Sequence, residues 1–299
     1  AIARNAVDST TGGRHLTGYG LASLEFGKGP EGKALWLYYG RTTGHGHRDR
    51  LNFGLYAFGM DMTPDLGYPE FAGTQPERRV WTANSISHNV LTVNSKGQRT
   101  DWTGFPRHFK RLQGFGAMEV ESPNVYPQTR EYSRSMMLVD AGHGNAYVVD
   151  FLRAAGGDDH LLSFHGPAGP VTATGLKLVR QKSGTYAGED VELRADTEAT
   201  SPGYSYLFNV ERDLNPPAAF VLDWAAEPGK RGAKPGDDVH LRWHVNTECA
   251  DVALADAEPP RNKPDNPKRL RYALLHRVGQ DLTSMFASVL EPYRKIPFL

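Results

Sequence analysis

The chain has only one cysteine, Cys249, in 299 residues, which excludes an internal disulfide and a cysteine-rich zinc knuckle. Its 34 basic and 34 acidic side chains leave no net charge. This balance argues against a nucleic-acid partner, because affinity for nucleic acid rests largely on basic groups. No apolar run approaches the roughly 20 residues of a membrane span. No segment of about a dozen residues keeps a helical apolar period either, so we expect little helix.

The chain is rich in glycine and proline, and its 32 glycines and 20 prolines separate many short apolar runs. This pattern is typical of an all-β chain. Apolar and polar residues alternate with period two over residues 51–58 and 239–246. The sequence therefore predicts a large antiparallel β-sandwich. Further strands are predicted over residues 21–26, 33–39, 88–93, 135–140, 146–152, 191–195, 204–209, 219–224, 270–276 and 285–289.

The domain organisation is predicted to be simple. We expect residues 1–299 to form one β-sandwich region, because no repeat of 20 to 50 residues is visible. Any subdivision is expected near residues 156–166, where most of the His, Trp and Asn clusters end. The chain starts in a polar stretch without a leader pattern and stops on a segment that resembles the start of a strand. We therefore expect a fragment of a longer protein.

Residues suited to chemistry are densest between residues 44 and 94. His45 and His47 are two residues apart and, in extended backbone, would point to the same side of a strand. His47, Asp65 and His88 would supply two imidazoles and a carboxylate, a ligand set that can hold Zn²⁺ with one position open. Spacing alone leaves an alternative open, since a lone strand histidine is more often a hydrogen-bonded structural residue.

The run GHGHRDRLNFGLYAFGMDMTPDLGYPE, followed by SISHNVLTVN, resembles the heparinase II/III-like family of polysaccharide lyases, which includes heparin, heparan and alginate lyases. The segments GLASLEF, KALWLYYG and DLTSMFASVLEPYR are also similar to that family. The resemblance extends over residues 18–293 and is most specific over residues 44–94. It implies a β-sandwich that packs against an N-terminal α/α toroid, with the active site in the cleft between them. The toroid would be absent from this chain.

The resemblance also implies a reaction, β-elimination at a 4-O-linked uronic acid of a polysaccharide. His45 matches the catalytic histidine of the family, while His47, Asp65 and His88 match the ligands of a structural or supporting Zn²⁺. Elimination requires a neutralised C5 carboxylate, a base for the C5 proton and an acid for the departing O4. Imidazole is suited to such proton exchange near neutral pH. Tyr68 is a second catalytic candidate, because some alginate lyases of this group use a sandwich tyrosine, although it could simply pack.

Other polar and aromatic residues of this region are candidates for substrate binding. Arg48 and Arg50 could clamp a substrate carboxylate, or pair with acidic neighbours on the surface. Asn89 could bond a sugar or the backbone. Trp81 and Trp102 could stack on sugar faces, although burial in the core is the usual position of tryptophan.

Two alternative functions are compatible with the same residues. The first is a cupin-like metal oxygenase, because two histidines and a carboxylate also form the iron site of such enzymes. The second is a non-catalytic carbohydrate-binding β-sandwich. For the lyase we expect a uronate-containing polysaccharide and the toroid as partners, no nucleic acid and no membrane span. We also expect a periplasmic or secreted bacterial location, where such polymers are met.

Overall fold

The computed structural model describes residues 12–67, 77–229, 233–260 and 266–299. Its regular structure is almost entirely β, in three antiparallel sheets of five, eight and six strands, which confirms the predicted all-β sandwich. The helical segments are single turns over Gly29–Glu31, Arg78–Thr82, Ser85–Ser87, Pro123–Val125 and Tyr204–Tyr206. Within the described ranges, no helix has the length and apolar character needed to cross a membrane.

The strands follow one another along the whole described chain. In chain order they are β1 (His15–Leu16), β2 (Leu21–Phe26), β3 (Lys33–Tyr38), β4 (Phe53–Ala57), β5 (Met60–Asp61), β6 (Leu91–Val93), β7 (Phe105–Leu112), β8 (Phe115–Glu121), β9 (Glu131–Gly142), β10 (Asn145–Ala155), β11 (Asp159–His165), β12 (Val171–Thr174), β13 (Val179–Arg180), β14 (Phe208–Asp213), β15 (Ala219–Ala225), β16 (Val239–Asn246), β17 (Asp251–Ala257), β18 (Leu270–Val278) and β19 (Thr283–Arg294). The five-stranded sheet has the order β1-β2-β3-β4-β5, the eight-stranded sheet β12-β15-β16-β19-β10-β9-β8-β7, and the six-stranded sheet β13-β14-β17-β18-β11-β6.

One continuous hydrophobic core joins all three sheets. Phe164 of β11 packs between the other two sheets, with its ring centroid 4.3 Å from Trp243 of β16 and 6.2 Å from Phe53 of β4. The alternation that predicted β16 is visible in its burial, because Val239, Leu241, Trp243 and Val245 are buried while the residues between them are not. Burial of such apolar side chains is the main stabilising contribution.

A second, smaller core covers the other face of the six-stranded sheet. There Trp81 stacks on Tyr206 and meets the edge of Tyr272, both at centroid distances of 5.6 Å. The alternating residues of β18 divide between the two cores, so that Tyr272 faces this one and Ala273 the main one. This packing fixes the segment around Trp81 against the sheet and thereby positions the residues that follow it.

Some predicted strands need correction. Residues 191–195 form no strand, because the segment turns and its side chains are mostly exposed, so that it has no sheet to join. The strand predicted over residues 88–93 is short, because Ser85–Ser87 form a helical turn and β6 begins only at Leu91. Residues 204–209 divide between a helical turn and the start of β14.

The connection between β10 and β11 lies where a subdivision was predicted. Gly156 and Gly157, with φ of 105° and 92°, carry the chain from the eight-stranded to the six-stranded sheet. Such angles are readily available to glycine alone. Residues on both sides of this connection share the main core, and a subdivision near residues 156–166 stays a prediction.

Candidate metal centre

The segment that carries His45 and His47 is a loop and not the predicted extended strand. The amide of Gly46 donates to the carbonyl of Thr43 at 3.2 Å, which closes a turn just before His47. As a consequence His45 is exposed, whereas His47 is only 8% exposed. The prediction that the two histidines share one side of a strand was therefore wrong, because period-two alternation holds only in extended backbone.

Arg50 anchors the end of this loop inside the protein. Its side chain is fully buried, and its guanidinium donates to the carbonyl of Gly40 at 2.9 and 3.2 Å. It also pairs with Asp101, at 2.7 Å, and with the hydroxyl of Ser122. This is a different role from the substrate contact predicted for Arg50, since its donors are directed at groups of the protein itself.

His88 is oriented by the helical turn that precedes it. Its Nδ1 lies 2.8 Å from the carbonyl oxygen of Asn84, and because a carbonyl only accepts, Nδ1 is the donor. The other ring nitrogen, Nε2, consequently points toward His47 and Asp65. A histidine whose second nitrogen donates to a carbonyl is the usual arrangement of a metal ligand.

The three predicted ligands come together. The Nδ1 atom of His47 lies 3.0 Å from Nε2 of His88 and 3.6 Å from Oδ1 of Asp65. The distance from Nε2 of His88 to Oδ2 of Asp65 is 3.2 Å. These separations are close to the roughly 3.3 Å edge of a tetrahedron of ligands around Zn²⁺. The spacing of the side chains therefore fits a single small cation.

A fourth residue, Asp49, completes this cluster. One ligand atom each of His47, Asp49, Asp65 and His88 lies within 4.8 Å of all the others. The Oδ1 atom of Asp49 is buried without a hydrogen-bond partner. A buried carboxylate oxygen in that position is costly unless a cation or a proton compensates it. We call these four residues the metal centre, because their donor set fits Zn²⁺.

The charges of the metal centre are strongly coupled. Burial raises the pKa of Asp49, although the neighbouring histidines oppose this shift. Burial also acts to raise the pKa of Asp65, but hydrogen bonds from His47 and His88 outweigh it and hold the pKa well below its usual range. For His88, burial acts to lower the pKa, whereas the bond to Asp65 and the nearby acidic charges raise it to about 9. In the absence of a cation, a proton on His88 therefore partly balances the two carboxylates.

Arg134 holds together two of the three segments that carry the ligands, the one with His47 and Asp49 and the one with His88. Its Nη1 donates to the carbonyl of Leu51 at 2.8 Å and to the carbonyl of Asn89 at 2.5 Å. Leu51 follows the histidine loop, and Asn89 follows His88. The remaining donors of the buried guanidinium form two bonds of 2.6 and 2.8 Å with Asp150. One buried ion pair therefore sets the separation between these two segments, while Asp65 lies on a third segment, after β5.

The other predicted site residues have different surroundings. Asn89 is buried, and its side chain bonds the backbone amide and carbonyl of His165, at 2.8 and 3.3 Å. Arg48 is partly exposed and donates to the carbonyl of Ala199 at 3.0 Å. Tyr68 lies outside the described residues. The structure thus brings together the predicted metal ligands, and it places Arg48 and His45 on the same loop.

Two residues of this region were not assigned to the site from the sequence. Asp49 continues the spacing of His45 and His47, and that spacing was the available signal. His165 is buried against Tyr272, with ring centroids 4.7 Å apart, and burial lowers its pKa to about 4. It is therefore neutral near pH 7. Nothing in its sequence surroundings indicates this position.

Comparison with known proteins adds independent information. The family model described as "Heparinase II/III-like, C-terminal" matches residues 37–222, a range that contains the metal centre. An exo-oligoalginate lyase of Saccharophagus degradans and an alginate lyase of Stenotrophomonas maltophilia are each 23% identical over 277 residues. The match covers 84% of this chain but only 34% and 33% of those proteins. The chain thus spans about a third of the length of these relatives.

Solved structures show a similar fold. A heparinase III has a TM-score of 0.66 at 13% identity, over 95% of this chain and 36% of that one. A heparan sulfate lyase, HepC of Pedobacter heparinus, has a TM-score of 0.56 at 14% identity, over 94% of this chain and 36% of that one. These likenesses support the sandwich fold. None of these four proteins is named as an oxygenase, the alternative that the ligand types alone had left open.

Proposed function

This chain belongs to the heparinase II/III-like family, and from that premise we propose that it is the sandwich portion of a polysaccharide lyase. The proposed reaction is β-elimination at a 4-O-linked uronic acid. One observation carries the proposal: exposed His45 lies on the same loop as buried His47, whose Nδ1 lies near the carboxylate of Asp65 and the imidazole of His88. The range of the family match includes all four residues.

The reaction needs a proton carrier and a positive environment for the substrate. We propose that the imidazole of His45 exchanges a proton with the sugar during elimination at C5 and O4, since imidazole does this near neutral pH. Arg48, partly exposed beside it, is proposed to bind the uronate carboxylate, because a guanidinium matches that group in charge and shape. Neutralising the carboxylate makes the C5 proton more acidic. Tyr68 stays a candidate for a second proton carrier.

His47, Asp65 and His88, together with Asp49, would hold Zn²⁺. When bound, the ion would supply positive charge and would rigidify the loop that presents His45, a supporting role. Residues of the chain itself then position the catalytic side chain. Arg50 and Arg134 fix the loop from the interior of the protein, and the turn before His47 directs His45 outward. Preorganised groups of this kind lower the cost of reaching the transition state.

Alginate is the first polymer we propose as substrate, because the curated sequence relatives are named as alginate lyases. Glycosaminoglycans such as heparan are the second choice, from the fold neighbours. We propose that an α/α toroid of the whole protein forms the opposite wall of the cleft, as the family resemblance implies. A periplasmic or secreted location is proposed on the same grounds, since these polymers occur outside the cytoplasm.

The test is the ultraviolet absorbance of unsaturated uronate products, measured on the whole protein with alginate, heparan, chondroitin and hyaluronan. We expect absorbance to rise with one polymer and the rise to vanish in His45→Ala. His143→Asn is a matched control, because His143 is also exposed and lies between two glycines, and because asparagine tolerates its φ of 55°. Cleavage that survives His45→Ala would overturn the role of His45. If the unchanged protein raises the absorbance with none of the four polymers, the proposed activity on them is overturned.

A further inference from the structure

Trp102 is an unusual tryptophan in this chain. It is 70% exposed, whereas the other four tryptophans are partly or fully buried. Tryptophan is a large apolar side chain that normally loses most of its surface to the core. An exposed indole offers a flat apolar surface on which a ligand can pack.

The backbone of Trp102 is fixed to the loop that presents His45. Its amide donates to the carboxylate of Asp101 at 2.8 Å, and that carboxylate also pairs with buried Arg50. The backbone of Asp101 is joined to Thr42 by three hydrogen bonds, of 3.0, 3.1 and 3.4 Å. Thr42 and His45 are three residues apart, which limits the distance between their Cα atoms to about 11 Å. The backbone that carries the indole is therefore anchored to the loop that presents the proposed catalytic histidine.

A cation lies beside the indole. The guanidinium carbon of Arg41 is 5.7 Å from the ring centroid of Trp102, and Arg41 is exposed. The hydroxyl of Tyr38 donates to the carbonyl of Arg41 at 2.7 Å, which holds the backbone there. Among the described residues, no carboxylate pairs with Arg41. The surface thus presents the flat apolar indole of Trp102 and, beside it, the guanidinium of Arg41, which is available to an acidic ligand.

We propose that Trp102 and Arg41 form a second sugar subsite, which binds a uronate unit next to the one that is cleaved. This inference rests on the proposed function. The face of a pyranose ring that carries C–H groups packs on an indole, while a guanidinium recognises the carboxylate of the same sugar. A neutral sugar would use only the ring, and a simple anion would use only the cation. The pair therefore selects a uronate-containing oligosaccharide.

The test measures binding and turnover of defined oligosaccharides by the whole protein. The probes are a tetrasaccharide of alginate, a tetrasaccharide of unsulfated heparan backbone and cellotetraose as the neutral equivalent. We expect Trp102→Ala to weaken binding of a uronate tetrasaccharide by about tenfold, or about 1.4 kcal/mol, to raise KM and to leave kcat nearly unchanged. Trp102→Phe should recover most of the binding. Arg41→Gln should weaken binding of the acidic probes alone, and more at low salt than at high salt.

A matched control is available on β10. Arg153 lies 5.8 Å from the ring centroid of Phe151 on β10, a geometry similar to that of Arg41 and Trp102. Arg153→Gln should leave the binding of all probes unchanged. Because Trp102 and Arg41 are exposed, their variants should melt at the temperature of the unchanged protein.

The outcomes separate the two proposals. Unchanged binding of both acidic probes by Trp102→Ala, in a protein that still cleaves its polymer, would overturn the subsite and leave the lyase function standing. Binding of cellotetraose as tight as that of the acidic probes would overturn the selection by Arg41. If the unchanged protein neither binds nor cleaves any uronate probe, both proposals fail.

Discussion

Two clusters of histidine and aspartate in this chain use the same residue types in opposite ways. In the metal centre the ligand atoms of four side chains converge within 4.8 Å of one another. In the second cluster, His276 lies between two carboxylates, with Nδ1 2.8 Å from Asp251 and Nε2 2.9 Å from Asp159. The two carboxylates bond opposite sides of one ring, so that no common point exists for a cation. We call this second group the ion-pair cluster.

The difference shows that convergence, and not composition, distinguishes a metal site from a structural ion pair. Both clusters contain a buried carboxylate oxygen without a hydrogen-bond partner, Oδ1 of Asp49 in one and Oδ1 of Asp159 in the other. Both contain a histidine whose pKa is raised to about 9 by its acidic neighbours. Only in the metal centre do two imidazole nitrogens and two carboxylates face one another. The comparison can be tested by changing one member of each cluster.

The largest expected effect is that of His88→Ala. Removing this ligand should weaken Zn²⁺ binding by more than about a hundredfold, beyond the 10–100-fold typical of changes behind the ligands. It should also cost about 3 kcal/mol of unfolding free energy, because the partners of His88 keep their charge without it. Competition with a chromophoric chelator and urea unfolding would measure the two effects.

His276→Ala is the matched control in the ion-pair cluster. It should leave the affinity for Zn²⁺ unchanged while lowering stability modestly. Equal loss of zinc in both variants would show that the metal is held elsewhere or through the fold as a whole, and would break the comparison.

Asp49→Asn should have effects of opposite sign with and without metal. In the metal-free protein it should raise the unfolding free energy by about 1 kcal/mol near pH 7, because burial raises the pKa of Asp49 and makes its charge unfavourable. With Zn²⁺ bound it should weaken metal affinity by about 10–100-fold. Urea unfolding with chelator and with zinc would decide. A variant with unchanged zinc affinity would exclude Asp49 from the metal centre, and one that is less stable without metal would contradict the unfavourable charge.

Zinc affinity should also depend on pH. The pKa of His88 is about 9 in the metal-free protein, so that a proton must leave before Nε2 can bind the ion. Affinity should therefore rise about tenfold per pH unit from about pH 7 and level off above about pH 9. Competition experiments over that range would measure the slope. A flat profile would mean that His88 does not ligate the metal.

The smallest effect is expected from His276→Gln. The flanking carboxylates raise the pKa of His276 from 6.5 to about 9, so its stabilising contribution is complete below about pH 6.5 and is lost as pH rises toward 9. Screening at this half-buried position limits the contribution to about 1 kcal/mol. Urea unfolding at about pH 6 and pH 10 should show a smaller pH dependence in the variant. If the unfolding free energy of both proteins depends on pH in the same way, the raised pKa of His276 is contradicted.

The sequence predicted several of the strands that have one buried face, although it missed β8, which also alternates. Residues 21–26 and 239–246 alternate between buried and less buried positions, and they form β2 and β16 with the predicted bounds. Strand β7 was missed because nearly all its residues are exposed, so that it carries no alternation. The segment 191–195 has an apolar and polar pattern but no neighbouring strand. Whether such a segment forms a strand depends on its pairing with strands that are distant in the chain. The local sequence pattern does not show that pairing.

The site was predicted in its residue types but not in its geometry. The resemblance to known lyases brought His47, Asp65 and His88 together, although they lie up to 41 residues apart. The turn before His47 could not be predicted, because it depends on anchors such as Arg50 that bond distant groups. For the same reason Arg50 was interpreted as a surface residue. A buried arginine is recognised only when its partners in three dimensions are known.

The clamp formed by Arg134 has a consequence for the speed of metal exchange. Because a single guanidinium binds the carbonyls of Leu51 and Asn89, the segment of His47 and Asp49 and the segment of His88 keep their spacing before any ion arrives. An ion would not have to wait for the chain to fold around it. The rate of its entry would be set by the loss of its bound water and of the proton on His88. The ion would enter from the side where Asp65 is 35% exposed. A substitution that weakens the hydrogen bonds of Arg134 would increase the dissociation rate of the ion, although every ligand is unchanged.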